Sequence, residues 1–237
     1  SRGAAVQAQE VLEVIEGLKA RLLMTQKPDG SWAEVVWGFA PPIVAGGETA
    51  IISWALLQAG QDPFSDPIHR AVRSLMSTEM AGTYNRSLRC MLLASLARID
   101  PTGKHAKAMQ EDVEFLLHSR QPNGRWSYYH LNTNQYKRLA SPDPSFLGDN
   151  SNSQFAVLAL REAAISGARV PTATWRSLRD YWLSEQLGDG GFAYRNDGSG
   201  SSYGSMTAAG AASLFIAEEM SRAAQCCSGQ MPEALVD

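Results

Sequence analysis

Apolar residues recur at helical spacing along most of this chain, in stretches that alternate between one-sided and all-round. In 10–25, Val11, Val14, Ile15, Leu18 and Leu22 fall at i, i+3, i+4, i+7 and i+11 among Glu10, Glu13, Glu16 and Lys19. This predicts an outer, half-exposed helix with one buried stripe. After a Pro- and Gly-rich loop over 35–47, the run from Ala50 through Ile51, Ile52, Trp54 and Leu56 to Leu57 is apolar nearly all round. Such a helix is expected to be buried. The pair then returns three times. Its outer members carry Ile68, Val72, Leu75 and Met76, then Val113, Leu116 and Leu117, then Trp175, Leu178 and Trp182; the inner members cover 88–97, 155–160 and 205–217.

Four hairpins of this kind predict an all-α fold in two concentric layers, a small or incomplete α/α toroid, as one domain over 1–237 with a flexible tail at 223–237. In the last inner helix Ala208, Ala209, Gly210, Ala211 and Ala212 crowd together. Close packing there offsets the roughly 1 kcal/mol that a helical glycine costs.

Between outer and inner helices a short motif repeats: Gln26-Lys27-Pro28-Asp29-Gly30-Ser31-Trp32, Gln121-Pro122-Asn123-Gly124-Arg125-Trp126, and Gln186-Leu187-Gly188-Asp189-Gly190-Gly191-Phe192. Between the second pair it has decayed to Met80-Ala81-Gly82-Thr83-Tyr84. Its grammar is structural. Gly supplies positive φ after a helix, the Gln amide is suited to free carbonyls at the helix end, and the ring covers it. Asp29 and Asp189 are then turn residues.

These motifs carry a resemblance. The chain resembles the α/α-toroid repeats shared by squalene and hopene cyclases and by protein prenyltransferase β-subunits, most closely stand-alone bacterial repeat domains of unassigned function. Gln26, Asp29, Gly30 and Trp32 match the Gln-Trp repeat best; Gln121, Asn123, Gly124 and Trp126 are one residue shorter; Gln186, Asp189, Gly190 and Phe192 have Phe for Trp. The resemblance implies the fold and leaves activity open. The cyclases' Asp-x-Asp-Asp acid run is absent, as is the prenyltransferases' Asp-x-Cys zinc pair.

Composition narrows the partners. A net charge of −3 with 44% hydrophobic and 19% charged residues gives no basic field for nucleic acid. No run approaches the roughly 18 apolar residues of a transmembrane helix. Cys90, Cys226 and Cys227 form no disulfide framework, which fits a reducing, cytoplasmic setting. The opening Ser1-Arg2-Gly3-Ala4 has no signal-peptide core, as expected of a domain cut from a longer protein. His69, His105, His118 and His130 lack paired spacing and read as surface residues, so no metal and no cofactor are expected.

Candidate chemistry gathers where the inner helices begin: Glu48 and Thr49; Tyr84, Asn85 and Arg86; Asp149, Asn150, Asn152 and Gln154; Ser205 and Thr207. In a toroid these N-termini share one end of the ring, and their side chains would line the mouth of a central cavity. A place as helix caps or first-turn residues by itself explains Glu48, Asn85, Asn152 and Ser205. Glu48, with Asp149 as runner-up, is the candidate general acid, since burial raises a carboxyl's pKa; a salt bridge from Glu48 to Arg86 or Arg89 is the competing account. Cys90 reads as a small core residue. The insertion at 127–148, with Tyr128, Tyr129 and Tyr136, is expected to act as an aromatic lid or an interface loop.

Three functional classes follow: a non-catalytic domain binding an apolar or isoprenoid-like molecule, a divergent isoprenoid cyclase or transferase, and a scaffold whose open edge takes a protein partner or a second copy.

Overall fold

A computed structural model describes residues 8–34, 41–100, 102–128, 148–198 and 200–227. Among these, regular structure is entirely helical: α1 (Ala8–Met24), α2 (Pro41–Val44), α3 (Gly47–Gln58), α4 (Asp66–Ser77), α5 (Thr83–Ala97), α6 (Ala106–Ser119), α7 (Asn150–Ile165), α8 (Thr172–Glu185) and α9 (Gly204–Cys227). One isolated antiparallel bridge joins Trp126 to Asp149.

Helices α3, α5, α7 and α9 form a continuous run of neighbours, with α4 against α3, α6 against α5 and α7, and α8 against α9. Covered by α3, α6 and α7, α5 buries twelve of its fifteen residues. The main core runs from Trp32 through Leu92 and Leu93 to Trp126, Leu160 and Leu178. A second cluster of Tyr181, Trp182, Phe192, Met206 and Ala209 fills the last connection.

Burial departs from the sequence pattern at the N-terminal end. No residue of α1 is buried, and Val11, Val14 and Leu18 of its expected stripe stay exposed. Only Leu22 and Leu23 pack against the core. A periodic stripe records what a helix can bury, and α1 meets the core only in its last turns. Helix α3, expected to be buried, covers only Thr49, Ala50, Ser53 and Leu56 and leaves Ile51 39% exposed, because a neighbour of its own kind lies on one side alone. At the other end of the run Phe215 of α9 is 68% exposed. Met76, counted on the buried stripe of α4, is also exposed.

Two boundaries differ as well. Pro41–Val44 makes a helical turn inside the expected 35–47 loop, and α9 continues through Cys227, so 223–227 are helix rather than tail. Residues 228–237 lie outside the described set.

The three motifs close alike. Lys27 N–H donates to Ser31 O at 2.8 Å, Gln121 N–H to Arg125 O at 2.9 Å and Leu187 N–H to Gly191 O at 2.9 Å. Gly30, Gly124 and Gly190 take φ of 87°, 87° and 82°, the left-handed region that favours glycine. The Asp29 carboxylate accepts from Ser31 N–H at 2.9 Å and the Asp189 carboxylate from Ser202 Oγ at 2.6 Å and Gly191 N–H at 2.9 Å, and these bonds hold both carboxyls below their ordinary value.

The Gln26 and Gln186 amides do not reach the helix end as expected. Gln26 Nε2 donates to Gly30 O at 3.0 Å and to Pro67 O of α4 at 2.8 Å, and Gln186 Nε2 donates to Gly190 O at 2.8 Å. The helix end is taken by the indoles, Trp32 Nε1 on Leu22 O at 2.8 Å and Trp126 Nε1 on Leu116 O at 2.7 Å. The amide is short and sits inside the turn; the ring lies back along the helix and carries its N–H there.

Each ring residue is also fastened forward. Trp32 N–H donates to Thr49 Oγ1 at 3.0 Å, Trp126 N–H to Ser153 Oγ at 3.2 Å and Phe192 N–H to Thr207 Oγ1 at 3.2 Å. Every acceptor lies in the first turn of the following inner helix. Gly210 serves the same contact: a Cβ there would stand 2.4 Å from Phe192 Cδ2, so the small residue admits a ring rather than a second helix.

Candidate functional site

The forward fastening sets the first turns of α3 and α7 beside the turns before them, Thr83 Oγ1 ties the start of α5 to Ser127 O at 2.6 Å, and a cleft of about 600 Å³ opens between the three helices. Ile43, Ile51, Leu88 and Phe155 give it apolar walls; Tyr84 and Tyr128 add rings with polar tips. Its acids are Glu34 and Glu48.

Glu34 is fixed by the backbone that opens α3. Its Oε1 accepts from Gly46 N–H at 2.9 Å and its Oε2 from Glu48 N–H at 3.4 Å. A helix N-terminus leaves such N–H groups without intrahelical partners, and an acid from the preceding loop meets them. Burial nevertheless raises the Glu34 carboxyl above its ordinary value; the two N–H bonds oppose that and the charge of Glu48 adds to it.

The Glu48 carboxylate makes no hydrogen bond or ion pair among the described residues. The guanidiniums expected to pair with it go elsewhere. Arg86 Nη1 meets Asp112 Oδ1 at 2.7 Å, and Arg89 grips Asp112 with Nη2 at 2.6 Å and Nε at 2.9 Å. Asp112, on α6, is wholly buried and holds both arginines against that helix.

Tyr84 stacks edge-on against Phe155 with centroids 4.8 Å apart and lies 5.6 Å from the Tyr128 ring. Its hydroxyl donates to Ser151 Oγ at 2.6 Å, and burial pushes its phenol up. Asn85 works structurally: its Oδ1 accepts from Gly82 N–H at 3.1 Å and its Nδ2 donates to Ala45 O at 2.9 Å, joining α5 to the loop before α3.

Of the sequence-predicted ligand-binding residues, the cleft collects Glu48, Tyr84 and Asn85. Arg86 is committed to Asp112 and to Met80 O at 2.8 Å. Asn150 faces away, its Nδ2 donating to Glu185 at 3.1 Å and Ala193 O at 3.0 Å while its Oδ1 accepts from the Tyr181 hydroxyl. Asn152 donates to Asp149 Oδ2 at 2.9 Å, and Ser205 is exposed at the start of α9. Of the proposed lid, Tyr128 lines the cleft; Tyr129 and Tyr136 lie outside the described residues, as does His130.

Asp149, the second acid candidate, is fully buried as the N-cap of α7, its Oδ1 accepting from Asn152 N–H at 2.8 Å. Asn152 is a first-turn residue, and its own N–H is the one that Asp149 caps. Burial raises the Asp149 carboxyl, opposed by bonds from Asn152 and the Tyr194 hydroxyl and by the charge of Arg195. The Tyr194 and Tyr128 hydroxyls are 2.7 Å apart, a phenol chain beside the cleft wall.

Sequence reasoning missed Glu34, and a signal existed. It stands two residues after the motif ring Trp32, as Tyr128 does after Trp126 and Tyr194 after Phe192. All three positions face this cleft or the phenol chain behind it.

The histidines divide differently from expectation. His105 is buried with Asp100 Oδ2 at 3.7 Å, while His69 and His118 are exposed. Cys90 is fully buried against α7, its thiol pushed up by burial. Among the described residues no three His, Cys, Asp or Glu side chains gather as a metal set, and no helix is long and apolar enough to cross a membrane. Neither a protein-family model nor a curated protein matches the chain.

Proposed function

We propose that the chain is a binding domain of terpenoid-cyclase-like architecture, a small or incomplete α/α toroid that holds an apolar or amphipathic molecule between α3, α5 and α7. The observation that carries this reading is the cleft itself. Its volume of about 600 Å³ and its apolar wall with a few polar groups match the usual character of small-molecule sites. The neighbour order α3, α5, α7, α9 and the forward-fastened motifs support the repeat architecture. Exposed apolar residues, Val14 and Leu18 on α1 and Phe215 on α9 at the end of that run, support an arc open to a protein partner or a second copy.

Titration with farnesol, followed by backbone amide NMR shifts, tests the cleft. Saturable shifts confined to α2, α3 and the first turns of α5 and α7, abolished by Ile51→Trp, are expected. Shifts absent from these segments in the wild-type chain refute the reading.

A second reading has one observation of its own. The buried Asp149, its carboxyl raised by burial near the Tyr194–Tyr128 phenol pair, supports a reading as the acid of a divergent isoprenoid cyclase or transferase. Incubation with squalene or polyprenyl diphosphates would then yield product in the native chain and none in Asp149→Asn. Glu48 is tested the same way with Glu48→Gln.

A further inference from the structure

Charge distinguishes this cleft from a plain apolar pocket. Among the described residues, both of its formally charged lining groups are carboxylates, Glu34 and Glu48, and none is a lysine, arginine or histidine. Lys27 acts on Glu34 from an exposed turn outside the lining. Arg86 and Arg89, the cations of the adjoining helix, are held by Asp112 on α6. The mutual repulsion of Glu34 and Glu48 is therefore left standing beside a wall of rings. The N–H groups of Gly46 and Glu48 fix Glu34 in place, and the Glu48 carboxylate has no bonded partner among the described residues.

We infer that the ligand of this cleft is an organic cation, an ammonium or similar positive group on an apolar body, with its charge between Glu34 and Glu48 and its body against Tyr84, Tyr128 and Phe155. The inference rests on the binding reading above and sharpens it. A cation gains from both carboxylates in a partly desolvated setting and from the faces of aromatic rings. An apolar alcohol gains only the wall. A diphosphate or carboxylate is repelled, so the same two acids select against the anionic isoprenoids that the enzyme reading includes.

Calorimetric titration of the whole chain with three probes of equal tail length tests this: octyltrimethylammonium, octanol and octanoate. The ammonium is expected to bind about tenfold or more tightly than octanol, a difference of about 1.4 kcal/mol, and octanoate not measurably. Added salt narrows that gap, since screening weakens partly exposed charges. Glu48→Gln is expected to shrink the preference for the ammonium over octanol at least threefold, and Ile51→Trp to abolish binding of both. Octanol binding as tightly as the ammonium, or a preference indifferent to Glu48→Gln, overturns the charge assignment and leaves the cleft reading standing. If no probe binds saturably, the cleft reading falls and this inference with it. The three-probe comparison in the unaltered chain needs no variant to fold.

Discussion

Gly210 and Phe192 contend for one volume: the ring of Phe192 lies where a side chain at 210 would begin, 2.4 Å from an ideal Cβ. Helix propensity favours alanine over glycine by about 1 kcal/mol at an interior position. The contact reverses the sign. Gly210→Ala is expected to destabilise the chain by about 1–3 kcal/mol through overpacking. Urea denaturation measures this, and a more stable variant would contradict the geometry.

The forward fastening of each motif is separable from ring burial. Ser153→Ala leaves the Trp126 N–H without its acceptor in a fully buried setting, a loss of about 1–3 kcal/mol. Thr49→Val does the same to the Trp32 N–H with shape nearly conserved. Amide hydrogen exchange at residues 32 and 126 should quicken in the respective variant; unchanged exchange at both would show the bonds to be dispensable.

Asp112 holds two guanidiniums in a dry site, and removing one partner of a buried pair strands the other charges. Asp112→Ala is expected to cost about 3–5 kcal/mol. Combined replacement by apolar residues, Asp112→Leu with Arg89→Met, should recover much of that loss. Thermal melts of the single and double variants separate the two effects.

Burial of the Glu34 carboxyl makes stability depend on acidic pH. The folded chain takes up this proton at higher pH than the unfolded chain, so over the interval above the ordinary glutamate value the Glu34 contribution to stability grows as pH falls. Asp29, Asp100 and Asp189, held below their ordinary values, contribute in the opposite direction, losing stability as pH falls. Comparing native and Glu34→Gln chains across acidic pH isolates the first term. The variant should lack the acid-side gain; parallel curves would refute the assignment.

Helices and their connections were readable because they depend on short-range rules: periodicity placed Ile68, Leu75, Val113, Leu116, Trp175, Leu178 and Trp182 on covered faces, and they are covered or packed on the core. Burial of α1 and α3 was not readable, since it depends on how many neighbours stand beside an end helix. The site was half legible. Glu48, Tyr84 and Asn85 announce themselves as polar residues opening apolar helices, but the destination of Arg86 is set by Asp112, 26 residues away on another element. Glu34 escaped notice because its role appears only when the motifs are compared at the position two beyond each ring.

The forward staples span 17, 27 and 15 residues, and the indoles reach back only ten. Contacts so local close at little entropic expense, the condition under which helical chains fold fastest. A chain built this way does not wait for its far end. As it leaves the ribosome, each of these turns has its acceptor within the next stretch synthesised, whereas the packing of α5 on α7 waits for residues much further along the chain.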